Sequence, residues 1–541
     1  MNWFRINLNG KFDWIKSNGT FVRGSAFVRN EFIKRKSLLE FFNDIRSPEQ
    51  FMSTVEKLNG FYAAVRQTDE IVMAAVDRVR SIPLFYGCVG NILFLSDNAE
   101  WVREQVGDDC RDNLEENEFL LTGYVTGQET LYPSVKQLQA GELLLAREYR
   151  GQIKLEVNRY YRYIHTTDLD ASEHELLKLL DKVVVNSIKR LITWADGRTI
   201  ILPLSGGYDS RLIAIMLKRL GYSDTIAFSY GRPGNKESQI SKQVAENIGI
   251  KWKFVPYSNE TWKEWYQSEE RQAYFTYAHN HASLPHIQDW PAVWVLKRRI
   301  PNDAVFVPGH SGDFLAGSHI PENFFDVYKQ DRALGKQLFV DEIFHKHFSL
   351  WNWEKRKDKL GPIFEQRIIK QVEEEDLNSP IGAISAFEKW DWQERQAKFI
   401  INSVRVYEFW GYDWWLPLWD NEMMDLWSKI PLEWRVGQKL YIDYVTRIYA
   451  KTTGLVYETA IKSSNRTLVN TLKKAVKCIP VYPLANAVYQ PIKKRQEYHN
   501  HPLAWYGIVE KENYDRVVYR HQSINSFLVK EVLGISIMSY Y

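Results

Sequence analysis

The stretch Ile201-Leu-Pro-Leu-Ser-Gly-Gly-Tyr-Asp-Ser-Arg211 constrains this chain more than any other. The apolar run Thr199 to Leu204 reads as a strand, and Leu212, Ile213, Met216, Leu217 and Leu220 recur at helical spacing after the turn. Two adjacent glycines, Gly206 and Gly207, let backbone N–H groups close round an anion. Ser205 and Ser210 add hydroxyl donors, and the helix start adds its positive dipole end. A phosphate is the expected occupant. The turn has no lysine and no Gly-x-x-x-x-Gly-Lys-Ser/Thr spacing, and holds Asp209 instead. A carboxylate repels phosphates unless a cation bridges them, so Asp209 reads as a ligand for Mg2+ carried in with ATP. The alternative is an ordinary turn with Asp209 as a helix cap.

The neighbouring segments bear on that choice. Thr225 to Gly231 reads as a strand, Glu237 to Ile248 as a helix and Trp252 to Pro256 as another strand. Such alternation predicts a doubly wound parallel sheet, whose ligands bind at the carboxyl ends of the strands. Upstream, Leu176, Leu180, Val183, Ile188 and Leu191 predict a helix over Ser172 to Leu191, with Ser172 and Glu175 forming a capping box. A boundary near residue 165 follows. A second acidic turn occurs in Ala304-Val-Phe-Val-Pro-Gly-His-Ser-Gly-Asp-Phe-Leu-Ala-Gly-Ser318, where an apolar strand runs into a glycine-punctuated loop holding Asp313.

Ser-Gly-Gly-x-Asp-Ser after a strand resembles the pyrophosphate loop of the N-type ATP pyrophosphatases, which cleave ATP between its α and β phosphates. The whole chain resembles the asparagine synthetase family, which includes the β-lactam synthetases and lasso-peptide cyclases. The resemblance implies that Asp313 sits on the family's second Mg2+-binding aspartate, and that Leu204, Tyr230 and Gly309 line the nucleotide through backbone groups. His310 falls where members commonly carry a glutamate that removes a proton from the attacking nitrogen; a base, a substrate-binding residue and a packed residue all stay open. Trp415-Leu-Pro-Leu-Trp-Asp420 and Ile430-Pro-Leu-Glu-Trp434 resemble further family segments, and Tyr457 to Ser464 places Lys462 on the family's charge-stabilising lysine.

From Phe4 to about Tyr163 the pattern is β-rich, with strands expected at Leu58 to Val65, Ile71 to Val76 and Ile92 to Ser96. Ala75 to Tyr86 and Ala140 to Leu144 resemble the family's glutaminase domain. Position 2 is Asn2 where glutamine-using members carry a nucleophilic cysteine, and Val22 to Phe27 retains only the glycine of the family's Asn-Gly-Glu-Ile-Tyr-Asn loop. The expectation is a scaffold unable to hydrolyse glutamine, with Cys88 and Cys110 deep in the domain and no substitutes for the nucleophile. The fold expected is α/β: a β-rich, glutaminase-like α+β sandwich over 1–165, then over 166–541 a doubly wound ATP-pyrophosphatase domain with a helical extension.

With 70 basic against 67 acidic residues the net charge is +3, which gives no bulk electrostatic case for nucleic acid. Cys88, Cys110 and Cys478 lack metal-ligand spacing and suit a reducing compartment. No signal peptide and no apolar run of ~20 residues is seen, so a cytoplasmic protein is expected. The basic stretch Thr467 to Arg495 reads as a surface helix or as a membrane or partner contact broken by prolines. By resemblance, the function expected is an ATP-dependent amide-forming ligase acting on a carboxylate with ammonia or an amine. Cyclising and sugar-acid versions are alternatives, as is a non-catalytic nucleotide-binding descendant. Homodimerisation is open.

Overall fold

The computed structural model describes residues 3–8, 13–166, 169–330, 332–455, 492–501 and 503–539. Asn2, Lys462, Cys478 and residues 467–491 of the basic stretch lie outside them.

Strand Ile71–Val76 shows how the amino-terminal half is layered, because all six of its residues are buried. Ile71, Met73 and Ala75 pack with Leu38, Phe42 and Phe51 of the helices Lys36–Asn43 and Pro48–Glu56. Val72, Ala74 and Val76 pack the other way, against Leu93 and Leu95 of a second sheet. A strand with two covered faces needs no polar alternation. In chain order the strands here are β1 (Phe4–Asn7), β2 (Ile15–Ser17), β3 (Thr20–Val28), β4 (Glu31–Lys34), β5 (Leu58–Gln67), β6 (Ile71–Val76), β7 (Phe85–Val89), β8 (Ile92–Ser96), β9 (Lys136–Gln137), β10 (Glu142–Tyr149) and β11 (Gln152–Arg159). Among the described residues, β11-β10-β6-β5-β3-β2 form one antiparallel sheet with β4 beside β3, and β1-β8-β7-β9 form the other. The expected β-rich sandwich is present, and two strands start and stop where the sequence put them.

Cys88 and Cys110 correct an expectation: both are exposed rather than deep in the domain. Cys88 sits at the outer end of β7, where only part of the strand is covered. Burial of the thiol group itself still pushes its pKa up to about 11, which keeps it un-ionised and a poor nucleophile.

Downstream, the capping box forms as expected: Ser172 accepts from the Glu175 N–H while the Glu175 carboxylate accepts from the Ser172 N–H, 2.8 Å. The helix Glu173–Ala195 leads into β12 (Ile200–Pro203), followed by β13 (Thr225–Gly231), β14 (Lys251–Pro256), β15 (Val305–Phe306) and β16 (Asp413–Trp414). These five run parallel in the order β14-β13-β12-β15-β16. From β12 the chain winds one way to β13 and β14, then crosses back to β15 on the other side. The switch point therefore lies between β12 and β15. β15 is shorter than its apolar run suggested, because Pro308 and Gly309 follow at once. Among the described residues no helix is long and apolar enough to cross a membrane.

The two halves meet along an aromatic seam. Trp415, 2% exposed, lies 4.7 Å from Phe61, 6.0 Å from Phe27 and 5.3 Å from Trp194, ring centre to ring centre. Beside it Arg190 grips Asp420 with two bonds of 2.6 and 2.8 Å, and Asn59 of β5 donates to the same carboxylate at 3.1 Å. Deleting an indole from such a site leaves a cavity that rigid neighbours cannot fill. Trp415→Ala is expected to cost about 3–5 kcal/mol, seen as a lowered urea midpoint; an unchanged midpoint would show that the seam adds nothing.

Burial also pulls the imidazoles of His279, His286 and His521 down to about 3. In the unfolded chain histidine titrates near ~6.5, so these groups bind protons more readily when unfolded. Their contribution to stability is complete above that value and is lost progressively as pH falls toward 3. The thermal midpoint is expected to drop between pH 7 and pH 5; a flat profile would contradict this account.

Candidate active site

β12 ends at Pro203, and the chain turns through Ser205-Gly206-Gly207 into the helix Tyr208–Arg219. Gly207 occupies the N-cap and no side chain caps the helix, so its first N–H groups point to the loop without a side-chain acceptor. The Ser205 N–H donates to Ser210 Oγ at 3.1 Å, and the Gly207 N–H donates to Ser205 Oγ at 3.1 Å. Arg211 braces the loop by donating to the Gly206 carbonyl at 3.0 Å. These contacts fix the loop and its serine hydroxyls at the carboxyl end of β12. Leu204 is buried, and its N–H donates to the Phe228 carbonyl at 2.9 Å. Tyr230, near the end of β13, stacks its ring on Tyr257 at 5.3 Å.

Asp209 is not a helix cap. Its Oδ2 accepts from the Asp313 N–H at 3.1 Å and its Oδ1 from the Tyr441 hydroxyl at 2.8 Å. Asp209 follows β12 and Asp313 follows β15, so the two carboxylates face each other across the switch point. Burial and the Asp313 charge push the Asp209 carboxyl up to about 7. Asp313 Oδ1 accepts from the Phe314 N–H at 2.8 Å, and its Oδ2 from Ser318 Oγ at 3.2 Å.

A partly buried carboxylate, Asp209, and a half-exposed one, Asp313, brought together beside an uncapped helix start fit a divalent cation shared with an anionic ligand. Among the described residues no group of three or more His, Cys, Asp or Glu side chains converges to hold a metal alone. A hard cation at this pair would complete its shell with oxygens from phosphate and water.

Close approach of backbones shapes the pocket. A Cβ on Gly309 would stand 2.6 Å from the Ser210 nitrogen and 2.9 Å from its Cα; one on Gly312 would stand 2.6 Å from the Tyr441 hydroxyl. Between them Ser311 adopts φ 121°, a region that L side chains rarely enter, and its Oγ donates to Gln396 Oε1 at 2.7 Å.

His310 lies on this same turn, with its Nε2 2.7 Å from Ser403 Oγ. Burial lowers its pKa to about 4, so the ring is neutral near pH 7. Lys462 cannot be placed against the site, because it lies outside the described residues.

Several site residues escaped the sequence reading. Tyr441, fully buried on the helix Lys439–Thr453, holds Asp209. His319 places its Nε2 4.0 Å from Asp313 Oδ2, while its Nδ1 lies 2.8 Å from Asp391 Oδ2. Asp391 is wholly buried. Burial alone would raise its pKa, but His319 and Lys346 outweigh that and hold it well below the carboxylate range. Gln396, which bonds both Ser311 and Asp391, sits on a π-helix, Trp392–Ile400. No motif marks the stretch Asp391 to Lys398 in the sequence.

Gly309→Ala is expected to destabilise the fold by about 1–3 kcal/mol, since backbone on both sides must shift. Gly206→Ala, whose Cβ would meet nothing closer than Ile240 at 3.5 Å, should cost under ~1 kcal/mol. Equal urea midpoints for the two variants would refute the close-approach account.

Comparison with known proteins adds three findings. Residues 180–442 match the family model described as asparagine synthase. No curated protein matches the sequence. Among solved structures, a glutamine phosphoribosylpyrophosphate amidotransferase from B. subtilis, complexed with ADP and GMP, is similar at 12% identity and TM-score 0.18, over 55% of this chain and 63% of that one. An allosteric regulatory enzyme of purine biosynthesis is similar at 13% identity and TM-score 0.18, over 56% of this chain and 58% of that one. The chain thus spans about three fifths of each, and likeness at these TM-scores carries no argument. The match over residues 180–442 encloses Asp209, His310, Asp313, Gln396 and Tyr441, and this segment is similar to the asparagine synthase family.

Proposed function

We propose that this chain is an ATP-dependent, amide-forming ligase of the asparagine synthase type, with an amino-terminal unit over 1–165 and a synthetase unit over 166–541. One observation carries the reading: Asp209 and Asp313 converge from two parallel strands onto a glycine loop that opens an uncapped helix. In the first step a substrate carboxylate oxygen attacks the α-phosphorus of ATP, the bond to the bridging oxygen on the β-phosphate breaks, and pyrophosphate leaves. In the second an amine attacks the acyl carbon, AMP leaves with the bonding electron pair, and the nitrogen loses a proton.

The chain's own groups divide this work. Ser205, Gly206, Gly207 and Ser210 hold the phosphates through N–H and hydroxyl groups, with Leu204, Tyr230 and Gly309 lining the nucleotide. Asp209 and Asp313 hold Mg2+, which when bound neutralises charge on the departing pyrophosphate. Tyr441 fixes the Asp209 carboxylate. His310 stands near the reacting centre as the proton acceptor, and Lys462 supplies positive charge to the transition state. We propose ammonia or a free amine as nitrogen donor. Beside Gly24, the one residue kept from the family's loop, β3 carries Arg23, paired to Glu408 at 2.5 Å and close to Asp97 at 4.0 Å.

The second reading is a chain that binds nucleotide without turnover, and the engagement of His310 by Ser403 favours it. AMP and pyrophosphate release from Mg-ATP, with a panel of carboxylates and either ammonia or glutamine, separates the two. Asp209→Asn is expected to lower pyrophosphate release by roughly 10²-fold or more. It should leave the metal-free thermal midpoint unchanged or raised, because a repulsion with Asp313 is removed. Full activity in that variant would sink the metal assignment, and Mg-ATP binding without AMP from any carboxylate would support the second reading.

A further inference from the structure

The turn that follows β15 touches its surroundings at three places. Gly309 lies against the backbone of Ser210, and Gly312 lies against the Tyr441 hydroxyl, where an added Cβ would also stand 3.0 Å from Asp209 Oδ1. Between them Ser311, 6% exposed, donates from its Oγ to Gln396 Oε1 at 2.7 Å. Gln396 is buried on the π-helix Trp392–Ile400 and donates onward to Asp391 at 3.1 Å. Two residues past Ser311, the Asp313 N–H reaches Asp209 at 3.1 Å.

The backbone of Ser311 sets it apart. Every other described non-glycine residue with positive φ lies between 42° and 59°, in or near the small left-handed basin open to L residues, whereas Ser311 stands at 121° with ψ 41°. Glycine is the residue that such a φ calls for, and the chain places glycine at 309 and 312 but not at 311. The serine is not there to cap the short helix Gly312–Leu315, because its side chain makes no cap bond. Its hydroxyl is spent on Gln396, which ties the turn to the opposite wall of the site. A strained residue persists where the contacts around it over-determine its conformation, and such residues gather at functional sites.

We propose that Ser311 is a positioning residue of the acidic pair: its hydroxyl, held by Gln396, fixes the turn so that Asp313 meets Asp209, and the strain at Ser311 is retained for that purpose rather than for stability. The proposal rests on the reading of Asp209 and Asp313 as the seat of a divalent cation and requires no turnover. Ser311 touches neither carboxylate, so it acts through the backbone that carries Asp313.

The test compares Ser311→Ala, which loses the hydroxyl and keeps the strain, with Ser311→Gly, which loses both. Calorimetry of the full chain measures binding of a non-hydrolysable ATP analogue with Mg2+ and, in excess chelator, without it. Ser311→Ala is expected to weaken the Mg2+ complex by about fivefold or more, as loss of one buried hydrogen bond implies, and to leave the metal-free analogue within about twofold of wild type. Ser311→Gly is expected to melt about 1–4 °C above Ser311→Ala and yet to regain none of the lost affinity. Gln396→Ala should match Ser311→Ala, and the double variant should bind the Mg2+ complex no more weakly than the weaker single one. The proposal is overturned if Ser311→Ala binds the Mg2+ complex like wild type, if Ser311→Gly recovers affinity together with stability, which would make the residue a purely structural one, or if the two variants melt alike, which would remove the strain. A wild-type protein that gains no affinity from Mg2+ overturns the cation site and the proposal with it. Wild-type Mg2+ dependence that is lost in Ser311→Ala, without AMP formation from any carboxylate, upholds Ser311 and defeats the ligase reading; AMP formation with unchanged Mg2+ affinity in Ser311→Ala does the reverse.

Discussion

Backbone contact between two turns is the constraint on which the site depends. The turn after β15 can lie against the start of the helix Tyr208–Arg219 only because Gly309 has no side chain to meet Ser210. That contact brings the Asp313 N–H within 3.1 Å of Asp209. It sets two carboxyl groups close enough that the Asp313 charge, with burial, raises the pKa of Asp209. The rest of the neighbourhood serves this geometry: Tyr441 fixes one carboxylate, Ser318 and the Phe314 N–H fix the other, and the strained backbone at Ser311 is held by Gln396.

Around that contact lies a second tier of buried charge. Asp391 gathers His319, Lys346 and Gln396, and the π-helix places Gln396 where it reaches both Asp391 and the Ser311 turn. A π-helix is less stable than the α-form and persists where surrounding contacts over-determine it. Here Glu394 and Lys398 are buried four residues apart as an ion pair at 2.6 Å, with Lys398 also donating to the carbonyls of Val125 and Gly127. The wall of the site is therefore anchored from behind by the amino-terminal half.

What was legible in the sequence follows from what is local. The glycine loop, the capping box at Ser172 and the strand Ile71–Val76 are each written in a few consecutive residues, and each formed where expected. The pairing of Asp209 with Asp313 was legible only through the order of two turns, since no local rule joins residues 104 apart. Tyr441, His319 and Asp391 were not legible at all. A tyrosine among many tyrosines, a histidine in a turn and an aspartate at a helix end acquire meaning only when tertiary packing decides what they face. The exposure of Cys88 was missed for a related reason: the covering of β7 stops short of its end, and only tertiary packing decides where.

The aromatic seam has a mechanical consequence. The Trp415 N–H donates to the Phe306 carbonyl of β15 at 3.0 Å, while its indole is wedged against Phe27 and Phe61 of the amino-terminal sheet. Trp415 thus works as a rivet between two sheets that share no ladder. Three residues past Phe306 comes Gly309, and four more bring Asp313. A tilt of the amino-terminal sheet would be carried through this rivet as a displacement of the strand that carries half of the acidic pair. The amino-terminal half is the abutment against which the site is aligned.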